Sequence, residues 1–324
     1  MTEPFRLAEL PRLSRSTVDR DEQVRTEPAR LVELWRDGRV ILLDSLGRTP
    51  VLPGGTALAV RPASGDLPAD AVLLGQHDGV GYWALPHDEE LREGEPDAAW
   101  GRWAGGISAD GEEWHDLRVA GAALDDMSAG LFTTAVALAN WHGRGRFCAN
   151  CGASTARENG GWATRCPNCG REEYPRTDPA VICLVHDLDG VNGSHVLLAR
   201  QPIWPPERYS VLAGFVEAGE SLEACVAREI REEVGLAVSD VRYLGSQPWP
   251  FPRSIMVGFA ARAARADRDA PVRPADGEIE EANWVSRTEV RAALAAGGDV
   301  PGLRLPGPTS IARQMIAGWA TVDR

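Results

Sequence analysis

The 324-residue chain contains no lysine. All 34 of its basic side chains are therefore arginine, which excludes a P-loop lysine and Schiff-base chemistry on a lysine amine. No apolar run approaches the ~20 residues needed to cross a bilayer. The opening stretch MTEPFRLAELPRLSRSTVDRDEQ lacks the apolar core of a secretory signal. The expected compartment is the cytoplasm, with no membrane partner. Positive charge is in short supply too, 47 acidic residues against 34 basic for a net charge of −13. Such a surface disfavours broad coating of nucleic acid, which needs cations to displace counterions. It still allows a small phosphorylated substrate bridged to carboxylates by a metal ion. The remaining composition, 44% hydrophobic and 25% charged, is ordinary for a chain that buries a core, and the length points to about two domains.

Residues 1–117 hold short apolar runs broken by turn signals, such as Val40-Ile41-Leu42-Leu43 and Ala71-Val72-Leu73-Leu74, and read as an N-terminal α/β domain. Trp100, Trp103 and Trp114 are expected to pack there. Residues 118–146 form a helical connector, with Ala122–His142 rich in Ala and Leu and ended by Gly143-Arg144-Gly145. A cysteine-bearing module covers 147–175, and a final domain with strand and helix signals covers 176–320.

Four of the six cysteines fall in one window as Cys148-x2-Cys151-x14-Cys166-x2-Cys169, and Gly152 and Gly170 follow the two CxxC pairs. Each pair offers two thiolates from one tight turn. Four thiolates complete a tetrahedral Zn²⁺ and leave no open position, so the site is structural. The alternative is a set of redox cysteines. Cys183 and Cys225 lie in apolar contexts and read as inert core residues.

The segment Ser221–Gly235 reads as a helix whose buried stripe is Leu222, Val226 and Ile230. Glu229, Glu232 and Glu233 stand at i, i+3 and i+4 on another face. Like charges so placed destabilise a helix, and hard oxygen ligands on one face suit Mg²⁺ or Mn²⁺. Arg228 can orient a neighbouring carboxylate by a forked hydrogen bond. A solvated acidic face is the plain alternative. The whole string, however, fits G-x5-E-x7-R-E-U-x-E-E-x-G-U with U aliphatic, through Gly214, Glu220, Arg228, Glu229, Ile230, Glu232, Glu233, Gly235 and Leu236. Seven fixed residues and two aliphatic sites give chance odds on the order of one in a billion per starting point. This is the Nudix box.

Ten residues past the box lies Ser246-Gln-Pro-Trp-Pro-Phe-Pro-Arg-Ser254. Three prolines in five residues are expected to stiffen an extended loop, not a central strand, and to present Trp249 and Phe251 as walls for a flat heterocycle. A Pro-rich packing loop is the alternative.

With the cysteine module just before the box, Tyr174-Pro175-Arg176 and Asp178-Pro179 after it, Glu281-Ala282-Asn283-Trp284, and Ser310-Ile311-Ala312-Arg313, the chain over about 147–315 resembles the NADH pyrophosphatase family, the NudC-type Nudix hydrolases. The resemblance implies an α+β architecture, an αβα Nudix sandwich preceded by a zinc ribbon and the N-terminal domain. It implies metal-dependent hydrolysis of NADH or NAD⁺ to NMN(H) and AMP, removal of NAD caps from RNA 5′ ends, and a homodimer whose site draws on both subunits. By that resemblance Glu229 and Glu233 carry Mg²⁺ or Mn²⁺, with Glu232 and Glu281 assisting, and Glu232 or Glu233 takes the proton of the attacking water. Tyr174 and Phe215 sandwich a base, while Ser254, Met256 and Ala312 line the nucleotide pocket together with Gln247, Trp249 and Phe251. Before Trp162, where some relatives place an acidic residue, this chain has Gly160-Gly161. Competing readings are a preference for NAD-capped RNA, served by Arg144, Arg146, Arg157, Arg165 and Arg171; another Nudix substrate such as ADP-ribose; and a non-catalytic nucleotide sensor.

Overall fold

In a computed structural model, residues 3–88, 91–93, 96–97, 102–103, 105–264, 272–274 and 277–322 are described. The N-terminal part is built on the strands β1 (Arg39–Leu43), β2 (Val72–His77) and β3 (Val80–Pro86), ordered with the short strand Arg61–Pro62 as Arg61–Pro62, β1, β3, β2. β1 runs parallel to β3, and β2 antiparallel to it. Both faces are covered, as a sheet with a parallel pair requires. Leu31, Leu34 and Trp35 of α1 (Pro28–Arg36) pack on one side with Val40 and Trp83. Leu131, Ala135 and Leu138 of α2 (Asp126–Arg144) pack on the other with Ile41, Leu43 and Leu74. The Asp125 side chain caps α2 by accepting from the Ser128 amide at 2.7 Å. The long apolar helix thus forms one layer of the N-terminal core. Trp114 is buried as expected of a packing residue; Trp100 and the side chain of Trp103 lie outside the described residues.

The ribbon is three short antiparallel strands, β4 (Ala156–Glu158), β5 (Ala163–Arg165) and β6 (Glu172–Glu173). Gly161 takes a left-handed φ of 89°, and a Cβ there would lie 2.9 Å from the Val72 side chain. Its carbonyl contacts His142 Nε2 at 2.8 Å. A larger residue at 161 is therefore excluded by the docking of the ribbon on the N-terminal sheet.

The third unit is centred on β7 (Asp178–His186), whose run Ala180–His186 is buried throughout. With β8 (His195–Arg200), β9 (Leu212–Phe215), β10 (Val238–Trp249), β11 (Ser254–Ala263) and β12 (Glu281–Ser286) it forms a sheet of order β10-β11-β7-β8-β12, with β9 paired to β7. Helix α3 (Leu222–Val234) covers one face through Cys225, Val226, Ile230 and Val234. Helix α5 (Ile311–Thr321) covers the other through Ile311, Met315, Ile316 and Trp319, with Val290 of α4 (Arg287–Ala295) alongside. This is the expected αβα sandwich. One chain segment crosses between units: Phe5 is buried in the α5-side core, its amide donating to Asn192 Oδ1 at 2.8 Å. Asn192 Nδ2 in turn donates to the Glu3 carbonyl at 3.0 Å.

The proline-rich segment departs from expectation. Ser246–Trp249 is strand, not loop, pairing with β11 as Gln247↔Met256 and Trp249↔Ser254. β10 is an edge strand of the sheet, where a residue without an N–H is tolerated on the unpaired side. Only Pro250–Arg253 turns.

Candidate active site

The four cysteines come together as the spacing predicts. Their sulfurs all lie within 4.8 Å of one another, with Cys148–Cys169 at 3.6 Å and Cys151–Cys166 at 3.4 Å. Tetrahedral Zn–S bonds of ~2.3 Å require sulfurs just under 4 Å apart, so the cradle fits zinc. Gly152 and Gly170 each turn at φ 73°, and their amides donate to the carbonyls of Cys148 and Cys166, both at 2.9 Å. The Ala153 amide and the Asn168 side chain hold the Cys151 thiol down to about 6, favouring the thiolate that a metal needs. The ribbon is a structural zinc site. Cys183 and Cys225 are fully buried; burial pushes the Cys183 thiol up, and that of Cys225 to about 12.

The glutamate helix begins and ends where its sequence says. Ser221 caps it by accepting from the Ala224 amide at 3.2 Å, and Gly235 closes it at φ 73°. Arg228 is its organiser. The guanidinium forks onto Glu220, with Nε to Oε1 at 2.8 Å and Nη2 to Oε2 at 2.9 Å. It also donates to Glu229 at 2.8 Å, Glu232 at 2.9 Å and the Phe215 carbonyl at 3.0 Å. One arginine thereby ties the loop of Glu220 to the helix and holds the Glu220 carboxyl down at about 2. Glycine at 214 is also explained: a Cβ there would occupy the space of the Glu229 carboxyl.

The three helix carboxylates do not share one environment. A step of 100° separates Glu232 from Glu233. Glu232 is exposed, whereas Glu233 is only 2% exposed and its Oε2 has no hydrogen-bond partner. Burial, and then the charges of Glu229 and Glu278, push the Glu233 carboxyl up to about 8. Burial also raises Glu229. An orphaned buried carboxylate oxygen beside further carboxylates is a strong deficit of positive charge. All the donors are hard oxygens, the ligand chemistry that a hard divalent cation prefers.

Glu233 opens on a cavity of about 190 Å³ that Trp249, Met256, Ser210, Trp204 and Arg208 also line. The structure thus brings Glu233, Trp249 and Met256 together. Ser254 borders a neighbouring cavity of about 230 Å³ with Arg20, Trp162 and Arg253. Gln247 is buried and donates to the Thr309 carbonyl at 2.8 Å, and Ala312 is buried in the α5-side core. Phe251 packs against the N-terminal core. Phe215 and Tyr174 are 59% and 61% exposed, and the Tyr174 hydroxyl donates to Glu172 at 2.7 Å. The Glu281 carboxylate accepts from Tyr209 at 2.6 Å and Asn283 at 2.7 Å, which keep it low. Two residues were missed by the sequence reading. Glu278 is the remote carboxylate whose charge reaches Glu229 and Glu233; it is one of three glutamates in Gly-Glu-Ile-Glu-Glu, and nothing local ranks them. Arg208, buried, belongs to no motif. Of the five arginines proposed for RNA, Arg165 pairs with Glu158 and Glu172, and Arg171 with Glu173.

Comparison with known proteins agrees with this anatomy. A NUDIX domain matches residues 176–304, and an NADH pyrophosphatase zinc ribbon domain matches 144–174. Proteins named NAD-capped RNA hydrolase NudC from Mycobacterium bovis and Mycobacterium tuberculosis are each 46% identical over 325 residues, covering 98% of this chain and 97% of their own length. A Pseudomonas aeruginosa protein of the same name is 39% identical over 244 residues, 75% of this chain and 76% of its own. Among the described residues, no helix is long and apolar enough to cross a membrane.

Proposed function

The chain belongs to the NudC-type Nudix hydrolases, and from that premise we propose that it hydrolyses the diphosphate of NADH and NAD⁺ to NMN(H) and AMP, and removes NAD caps from RNA 5′ ends. The observation that carries the reading is the buried Glu233 carboxylate, its Oε2 without a hydrogen-bond partner, opening on a cavity walled by Trp249. A cation holder and a flat aromatic wall stand together there, as a dinucleotide diphosphate requires.

Glu229 and Glu233 would hold magnesium or manganese, with the charge of Glu278 behind them. When bound, the metal supplies charge neutralisation of the diphosphate and acidifies the attacking water. Glu232 is the carboxylate exposed to solvent, and we assign it the water's proton. Arg228 fixes Glu232 and Glu229 relative to Glu220, so these side chains need little reorganisation during the reaction. Phe215 offers an uncovered ring for one base. The exposed Tyr174 completes the sandwich if a second subunit supplies it, which makes the working unit a homodimer. Free thiols and a thiolate zinc site suit the reducing cytoplasm.

The test is incubation of the pure protein with NADH, NAD⁺ and ADP-ribose plus Mg²⁺ or Mn²⁺, with products resolved by chromatography and Glu233→Gln alongside. NMN(H) and AMP from the dinucleotides, lost in the variant, are expected. No cleavage of any substrate with metal present overturns the reading. The capped-RNA arm, which rests on the names of the relatives, is tested by release of 5′-monophosphate RNA from an NAD-capped transcript. Sedimentation at the monomer mass of 34.9 kDa alone would remove the dimer.

A further inference from the structure

Among the described residues the N-terminal domain contributes no side chain to the glutamate site, yet it grips the turn beyond Trp249 at several points. Asn140, on the last turns of α2, donates from Nδ2 to the Pro250 carbonyl at 2.8 Å. Its Oδ1 accepts from Arg144 at 3.2 Å, which fixes which end of the amide faces the turn. Next along the chain, the Arg118 guanidinium lies over the Phe251 ring, 4.6 Å from its centre. Asp116 holds that guanidinium flat with a two-point fork at 2.9 and 2.7 Å. Phe251 meets Trp249 edge to face at 4.9 Å, and both rings pack on the N-terminal core. The Ser14 hydroxyl donates to the Ser246 carbonyl at 2.9 Å, fixing the near end of the same strand.

These contacts bear on the site through a single side chain. Trp249 lines the cavity on which Glu233 opens, and it stands at the last position of β10, so the turn that follows decides where its indole lies. Pro248 and Pro250 restrict the backbone torsions on either side, and the Pro250 carbonyl is the point at which Asn140 takes hold. The far end of the turn is held by β7, where the Arg253 carbonyl accepts from the Asp178 amide at 2.9 Å and Arg253 Nε donates to Asp178 Oδ2 at 2.8 Å; its Pro250–Phe251 side is held by α2 and by Asp116–Arg118.

We propose that Asn140 and Arg118 are positioning residues for the Trp249 wall, so that the N-terminal domain sets the width of the base-binding cavity without touching substrate. The proposal rests on the diphosphatase reading for what the cavity holds, and on the structure alone for what holds the cavity. It gives the N-terminal domain a part in substrate affinity distinct from the chemistry on α3.

The experiment uses the full-length zinc-loaded chain and the variants Asn140→Ala, Asn140→Asp and Arg118→Lys. Asp keeps the volume of Asn but turns a carboxylate toward the Pro250 carbonyl; Lys keeps the charge of Arg but loses its flat face. Amide hydrogen exchange is read first. Loss of one such hydrogen bond is expected to speed exchange over Trp249–Ser254 about fivefold, with α3 and the ribbon unchanged. Steady-state kinetics on NADH come second: KM is expected to rise about fivefold in each variant with kcat within about twofold. A purely space-filling role predicts a silent Asn140→Asp, and that result overturns the proposal. So does unchanged exchange at Trp249–Ser254, equal acceleration throughout the chain, or faster exchange with KM unmoved. If the wild type fails to cleave NADH, the diphosphatase reading falls, and the exchange data alone decide whether the domain holds the turn.

Discussion

Removing the charge of Glu233 should make the metal-free protein more stable while abolishing its activity. The carboxyl is pushed up to about 8 from an ordinary 4.5, mainly by burial. A group whose folded pKa lies above its unfolded one favours the folded state when protonated. That contribution is complete below about 4.5 and disappears as the pH rises toward 8. The shift corresponds to a ceiling of about 5 kcal/mol, at ~1.4 kcal/mol per pH unit. Relaxation of the site should leave a few kcal/mol, or roughly 3 to 6 °C in melting midpoint for a chain of this length. Glu233→Gln cannot ionise, so it escapes this loss. Thermal melts followed by circular dichroism at pH 5.5, 7 and 8.5, without added magnesium or manganese, should show the variant slightly above wild type at the lowest pH and exceeding it increasingly above. Adding Mn²⁺ at pH 8.5 should then raise the wild type and leave the variant nearly unmoved, since at a hundredfold excess over Kd a ligand contributes about 2.7 kcal/mol. A variant no more stable than wild type at pH 8.5, or a gain equal at pH 5.5 and 8.5, would refute the reasoning that a buried, unpaired charge is the core of the site.

Gly214→Ala forces a methyl into the Glu229 carboxyl; kcat/KM for NADH should fall about a hundredfold, with a melting change under about 3 °C, by paired kinetics and melts. Arg228→Lys keeps the charge but not the fork onto Glu220, and kcat should drop at least about tenfold while zinc content stays constant. Cys151→Ser should lower zinc per chain, measured by elemental analysis, and melt the ribbon at a lower temperature than the rest. Phe215→Ala, at an exposed ring, should leave the melt unchanged and raise KM for NADH severalfold; an unchanged KM would remove Phe215 from the base site.

What the sequence disclosed and what it hid follow the range of the interactions. Helix α3 was legible from Ser221 to Gly235 because its cap, stripe and stop are local signals. The zinc ligands were legible because two turns bring their own pairs together. Periodicity placed Glu232 and Glu233 on one face, yet the floor under that face buries one and leaves the other in water, and the floor comes from β9, outside the helix. The prolines of Ser246–Ser254 point to a loop; an edge position, which only sheet order reveals, lets Pro248 sit in strand while Pro250 and Pro252 turn. Glu278 was hidden among equivalent neighbours. The grip of Asn140 on Pro250 spans 110 residues of sequence and leaves no local trace.

The burial of Phe5 ties distant parts of the chain together in time as well as in space. Its ring meets His186 edge to face at 6.4 Å within the same core as Met315 and Trp319, and Asn192, which receives its amide, also accepts from the Trp319 indole at 2.5 Å. During synthesis at ~5–20 residues per second, the fifth residue waits some tens of seconds before its partners exist. The hydrolase core thus closes only once α5 is made, around a segment synthesised long before it. A fragment cut at the start of the ribbon would keep every motif of the reaction and still lack one wall of its core, at a cost on the order of 3–5 kcal/mol for an emptied aromatic slot. The smallest unit that folds well is set by that buried ring, and it is larger than the unit that the catalytic signature outlines.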